Sequence, residues 1–257
     1  NPIGIAADST ARIFIKLNKS ASNDKLVSEI HGIITSSEYS TPALVGKIKY
    51  ASNHLSYSTE GNNANLTSEI YNASTNANAD DYWFWLVAPD DFTNNLDDER
   101  TYRELDVQFT ISYLDNTSET IVLCNPVYIY RPALALVHGL DGDVSTFQYC
   151  RYTNNSNGES VFDPSFLWKV SKRFDLEEFG SFQTNAELLL NVGADEDSPY
   201  ENSLLKLIEE MHIMGIANKR IDYVAHSMGG AAGRTAINYG NSWYNPGVQF
   251  KNYGNGY

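Results

Sequence analysis

The sequence predicts two domains in tandem: an all-β sandwich over residues 1–130, then an α/β domain with a mostly parallel sheet over residues 131–257. Three observations lead there. Short strand-like runs separated by polar turns fill the first half, with Leu105, Val107, Phe109, Ile111 and Tyr113 alternating against Glu104, Asp106, Gln108, Thr110 and Ser112. A continuous apolar run, Ala133-Leu134-Ala135-Leu136-Val137, opens the second half, as expected of a strand buried on both faces of a parallel sheet. Near the C-terminus, residues 220–234 read as a short strand, a one-residue corner at Ser227, and a helix. At 257 residues the chain is long enough for two domains or one large one, and its 42% hydrophobic content can fill a core.

The first half is built from β-rich segments. Ala11–Leu17 and Gly46–Tyr50 are short candidate strands, and Tyr82-Trp83-Phe84-Trp85-Leu86-Val87 reads as apolar on both faces. The 104–113 alternation predicts a half-buried antiparallel strand. Turn-rich stretches such as Glu60-Gly61-Asn62-Asn63 and Asp90–Asn95 separate the runs. This spacing fits a β-sandwich of immunoglobulin-like type that lacks the Cys-Trp-Cys signature of antibody domains. The cluster Tyr82, Trp83, Phe84 and Trp85 supplies either sandwich core and an interdomain contact or a face for carbohydrate or lipid.

The join falls at Tyr128–Pro132, where Pro132 suits the first position of a strand because it has no N–H to donate. Val144–Tyr149 is expected to form the first helix of the second half. Apolar residues between Asn154 and Pro199, among them Phe162, Phe166, Leu167, Trp168, Phe179, Phe182 and Leu188–Leu190, read equally as ordinary packing or as the lining of an acyl pocket or lid. Residues 203–215 carry apolar positions 204, 207, 208 and 211 at helical spacing, with Gly215 as the stop and His212 as a partly exposed helix residue.

The chemistry-bearing stretch is Val224-Ala225-His226-Ser227-Met228-Gly229-Gly230. A nucleophilic serine must stand clear of its neighbours, and a strand running straight into a helix achieves this only if the flanking side chains are small. Ala225 and Gly229 meet that demand, although Ala225 is one methyl larger than the glycine of the G-x-S-x-G corner. The structural alternative is Ser227 as a simple helix N-cap. Upstream, Val137-His138-Gly139-Leu140 ends the apolar run, and Gly139 lets the backbone turn so that the next amide, that of Leu140, points toward the same end of the sheet.

Together these two segments resemble the α/β-hydrolase family and, within it, secreted lipases and esterases. The resemblance rests on Leu136–Leu140 with Gly142 and on Val224–Gly230 with Arg234, and covers the second half of the chain. It implies a partial α/β-hydrolase fold and ester hydrolysis through an acyl-enzyme on Ser227. It also implies the amides of Leu140 and Met228 as the oxyanion hole, with His138, Gly139, His226 and Gly229 as supporting motif. Amide, thioester or transacylase chemistry would use the same parts. His226 is expected to turn away around the corner, and His138 to buttress the oxyanion loop.

The family pattern places an acid and a histidine after the serine. The thirty residues after Ser227 (257 − 227) contain no Asp, Glu or His, and all five histidines, 31, 54, 138, 212 and 226, precede it. Two expectations compete. Either the acid, the histidine and further strands lie beyond the present C-terminus, in a remainder that a second chain could carry, or the chain is a hydrolase-like relic. An unpaired edge on an apolar central strand favours the former. The expectation is a serine hydrolase acting on lipids or other carboxylic esters; the alternative is an inert surface binding or adhesion protein that works through its β-sandwich.

Other chemistry finds little in the sequence. No H-E-x-x-H, paired C-x-x-C, EF-hand loop or phosphate-binding G-x-x-x-x-G-K-[ST] is present, so no metal and no cofactor is expected; Asp195-Glu196-Asp197 reads as a solvated acidic turn. A net charge of −14 and a pI near 4.7 argue against nucleic acid or an anionic membrane surface as partner. Cys124 and Cys150 leave open one bridge or two separate thiols. Abundant Asn, Ser and Tyr, no apolar run of membrane-spanning length, and a start at Asn1 without a leader suggest a mature secreted or cell-surface chain.

Overall fold

The computed structural model describes residues 4–19, 24–36, 42–51, 68–73, 79, 81–90, 92, 100–143, 145–148, 167–177, 180–190 and 203–240. The chain divides into two compact units, one drawn from residues 1–93 and 102–130, the other chiefly from residues 131–256.

Among the described residues the first unit is all-β apart from one helical turn. Its strands are β1 (Gly4–Ala6), β2 (Arg12–Asn18), β3 (Val27–Thr35), β4 (Lys47–Ala51), β5 (Ser68–Asn72), β6 (Asp81–Val87), β7 (Tyr102–Tyr113), β8 (Ser118–Val122) and β9 (Val127–Tyr130), with the turn α1 (Pro42–Val45) before β4. One sheet runs β1-β9-β7-β3-β5, with β8 also on β7; the other is β2-β6-β4. The first sheet is mixed, because β1 runs parallel to β9 while β7 is antiparallel to its neighbours.

Residue alternation builds these sheets. On β7, Leu105, Val107, Phe109, Ile111 and Tyr113 are all buried. On β6, Tyr82, Phe84 and Leu86 point inward, and Phe84 meets Phe109 of the other sheet with ring centroids 4.9 Å apart. The 82–87 run is thus apolar on both faces, as its composition suggests, but fully buried on only one. Trp83 and Trp85 are half-buried on the opposite face, where Phe14 stacks on Trp83 at 4.6 Å and Lys16 lies 5.0 Å over the same indole. Both indoles pack apolar ring area there, and the Trp85 N–H is buried without a hydrogen-bond partner among the described residues. Buried Asp8 closes the β1–β2 turn, accepting the amides of Thr10 at 2.8 Å and Ala11 at 2.6 Å.

The second unit holds β10 (Ala133–Val137), β11 (Ser171–Phe174), β12 (Ile216–Ala217) and β13 (Ile221–Ala225), with helices α2 (Phe182–Leu189), α3 (Leu204–Ile213) and α4 (Met228–Gly240). Strand β10 lies between β11 and β13 and runs parallel to both. All five of its residues are buried, and Leu134 and Leu136 share a cluster with Phe147, Trp168 and Val224. Helix α3 begins at Ser203, whose side chain accepts from the Lys206 amide, and ends before Gly215 at φ +80.

Two expectations for this half are corrected. Thr146–Gln148 forms only a 3₁₀ turn where a first helix is expected. Asp143 imposes it: its carboxylate accepts the Ser145 amide at 2.7 Å and its carbonyl the Thr146 amide at 3.0 Å, which closes a tight turn. In this unit the described residues hold a sheet of three mutually parallel strands, too small to make the mostly parallel α/β domain evident, and across both units the described residues are mostly β.

Candidate active site around Ser227

Strand β13 ends at Ala225, helix α4 begins at Met228, and Ser227 occupies the corner at φ +48. A non-glycine residue in the left-handed region stores about 1–3 kcal/mol of strain, which persists only where the surroundings enforce it. Here the enforcement is visible. The His226 amide donates to the Val137 carbonyl at 3.0 Å, extending the β10–β13 ladder to the corner, and the amides of Gly229 and Gly230 close back on the carbonyls of His226 and Ser227, each at 3.0 Å. The chain must therefore reverse within one residue, and Ser227 stands exposed at the apex.

The parallel register Val137↔Ala225 brings the ends of β10 and β13 to the same edge of the sheet. That register delivers residues 138–142 to the serine. A Cβ on Gly139 would lie 2.7 Å from Ser227 Cβ and 2.8 Å from His226 Nδ1, so only glycine fits between loop and corner. The loop folds on itself through the Gly142 amide, which donates to the Gly139 carbonyl at 3.1 Å, with Asp141 at φ +56. Asp143 follows, its carboxyl held below the usual range by the Ser145 hydroxyl and amide.

Helix α4 approaches as closely. A Cβ on Gly229 would sit 2.5 Å from the Val137 carbonyl oxygen and 2.6 Å from that of His138. The first turn of the helix thus rests directly on the end of β10. Among the described residues the backbone N–H groups of Leu140 and Met228 donate to no protein acceptor. Met228 contributes the first N–H of a helix, where the dipole favours negative charge.

The histidines divide clearly. His138 is buried; its Nδ1 lies 2.7 Å from the Gly139 carbonyl, and its Nε2 receives the Leu176 amide at 3.1 Å. That pattern assigns the proton to Nδ1 and engages both nitrogens in holding the loop. Asp175 Oδ1 lies 3.2 Å from the same Nε2 and its side chain is largely exposed. His226 is exposed, and its ring lies against Gly139 where the sequence turns it away around the corner. His212 Nε2 meets the Asn218 carbonyl at 3.1 Å, His31 belongs to β3 of the first unit, and His54 lies outside the described residues.

The structure therefore brings together Ser227, Met228, Gly229, His226, His138, Gly139 and Leu140, and places no histidine as a hydrogen-bond partner of the Ser227 hydroxyl among the described residues. Two contributors are not evident in the sequence. Tyr223 donates its hydroxyl to the Gly229 carbonyl at 2.8 Å, and Asp175-Leu176 meets His138 from the end of β11. Glycines four apart on α4, at 229 and 233, are the signal that could have disclosed a large side chain beneath that helix. The acidic turn 195–197, Cys150, Phe162, Phe166 and Phe179 lie outside the described residues; Cys124 is an exposed free thiol. No group of His, Cys, Asp and Glu suited to a metal ion occurs among the described residues.

No protein-family model and no curated protein matches the chain. Among solved structures it is similar to a 2,6-sialyltransferase of the Vibrionaceae Photobacterium sp. JT-ISH-224, in a complex with CMP and lactose: 9% identity over 86% of this chain and 42% of that one, TM-score 0.23. A sialyltransferase from Photobacterium damsela is similar at 10% identity, over 87% of this chain and 36% of that one, TM-score 0.20. The chain spans less than half the length of either, and scores at this level transfer no activity. The comparisons return sialyltransferases and no hydrolase, and the described residues are mostly β. The resemblance to the α/β-hydrolase family, and within it to secreted lipases and esterases, is thereby overturned as an assignment. Its motifs, Ala-His-Ser-Met-Gly-Gly and Val-His-Gly-Leu, are too short to specify a family alone.

Proposed function

We propose that Ser227 is the nucleophile of a serine hydrolase acting on carboxylic esters. The reading is supported by one observation above the others: a serine at φ +48 stands exposed at a strand-to-helix corner, against a glycine-lined loop. Ser227 Oγ attacks the acyl carbonyl and gives its proton to a base. The tetrahedral oxyanion is held by the N–H groups of Leu140 and Met228, which is where preorganised donors count most. Collapse expels the alcohol, which takes the proton, and water then releases the acid from the acyl-enzyme. His138 is occupied at both nitrogens, so the proposal takes the base and its acid from polypeptide outside this sequence, in cis or as a second chain. Without them, catalysis falls to roughly 10³- to 10⁴-fold over water.

A second reading keeps the serine corner inert and makes the first unit, as an immunoglobulin-like sandwich, the working part at a cell surface or outside the cell. It is favoured by the half-buried row Trp83, Phe14 and Trp85 on the outer face of β2-β6-β4. Among the described residues no helix is long and apolar enough to cross a membrane.

Labelling with a fluorophosphonate probe, beside a Ser227→Ala control and turnover of p-nitrophenyl butyrate, separates the two. Labelling confined to the protein with Ser227 intact is expected. A wild-type chain that never labels, while glycan or lipid quenches its tryptophan fluorescence, would replace the enzyme with the binding protein.

A further inference from the structure

The side of β13 that faces α4 carries a half-buried polar group that the proposed reaction does not use. Tyr223 is two residues before the end of β13, and its hydroxyl donates to the Gly229 carbonyl at 2.8 Å. Burial holds that phenol above the usual tyrosine range, so it stays a donor at any working pH. Its ring fills the space left by the next turn of the helix: a Cβ on Gly233 would lie 2.5 Å from Cε1, 2.7 Å from Cζ and 2.8 Å from the hydroxyl oxygen. The Gly233 position is therefore glycine because Tyr223 is tyrosine.

Gly229 is held from two sides. From β10, the carbonyls of Val137 and His138 leave no room for a side chain at that position; from β13, the Tyr223 hydroxyl takes its carbonyl. The residue before Gly229 is Met228, whose N–H is the proposed oxyanion donor, and the residue before that is Ser227. A shift of a few tenths of an ångström at the Gly229 peptide passes directly into both, and alignment of a catalytic donor is lost over such distances.

We infer that Tyr223 is a positioning residue for the Ser227 corner, pinning the first turn of α4 through the Gly229 carbonyl, with Gly233 as the socket for its ring. The inference rests on the proposed nucleophilic role of Ser227. Tyr223→Phe keeps the ring and removes the hydroxyl; Gly233→Ala keeps the hydroxyl and displaces the ring. Each is expected to slow fluorophosphonate labelling of Ser227 about three- to thirty-fold in the folded protein, which a change in folded fraction alone does not produce. Because both act through one hydrogen bond, the double variant is expected to label no slower than the slower single.

Labelling rates, read at saturating probe beside thermal melts, decide it. Wild-type rates in Tyr223→Phe, or single effects that multiply in the double variant, would overturn the positioning role and leave the nucleophile standing. A wild-type protein that fails to label removes the nucleophile and the positioning role together.

Discussion

Adjacent glycines 229 and 230 do different work. A Cβ on Gly229 would lie 2.5 and 2.6 Å from two backbone carbonyl oxygens, whereas a Cβ on Gly230 would meet nothing within 4 Å. Backbone oxygens cannot swing aside as a side-chain end can, so Gly229→Ala must push α4 off the end of β10. Overpacking of this kind is destabilising by about 1–3 kcal/mol, and Ser227 would move with the helix. Gly230→Ala places a methyl in open space within a helix and is expected to stabilise by roughly 0.5–1 kcal/mol. Urea melts of the two variants check this: opposite shifts in midpoint are expected, and equal destabilisation would mean that the corner is packed differently. In sequence the pair reads simply as Gly-Gly. Small residues around Ser227 are legible there, but which of them is sterically required depends on the approach of the end of β10, ninety-two residues earlier (229 − 137).

Legibility among the elements follows burial. Strand β10 is readable because a strand enclosed on both sides carries only apolar residues, and β7 because one face is core and the other is not. Helix α3 is readable from its period, with Leu207 and Met211 buried. Strand β11 is not, since Ser171-Lys172-Arg173-Phe174 has one apolar residue, Phe174, which is fully buried. It lies at one edge of the described three-stranded sheet, and cationic side chains are what such an edge tolerates. The engagement of His138 by Leu176 was hidden for the same reason, because β11 is the element that brings them together. The importance of β10 predicts its sensitivity. Leu136 is fully buried in the cluster with Phe147, Trp168 and Val224, so Leu136→Ala should lower stability by about 2–5 kcal/mol. Denaturant unfolding followed by Trp168 fluorescence measures it; a loss under 1 kcal/mol would mean that the cluster collapses into the vacancy.

At the scale of the whole chain, phenols that are half-buried or buried make both units sensitive to alkaline pH. In the first unit, Tyr50 is raised by burial and by its hydrogen bond with Tyr71, and Tyr130 by burial and the neighbouring Tyr128 and Tyr102. In the second, Tyr223 is raised by burial alone. Each phenol ionises near its ordinary value of 10 in the unfolded chain and above it when folded. Between those values the folded state binds more protons than the unfolded state, so the contribution is fully present below pH 10 and is lost as pH rises past it. Both units are therefore expected to lose stability from about pH 10 upward. The slope should be shallower in Tyr50→Phe for the first unit and in Tyr223→Phe for the second, even though Tyr223→Phe begins from a lower stability because the Gly229 carbonyl has lost its donor. Urea midpoints at half-unit steps from pH 8 to about pH 11.5 read the slopes. Parallel curves for wild type and Tyr223→Phe above pH 10 would mean that this phenol ionises as freely folded as unfolded, and that the space between α4 and β13 admits water.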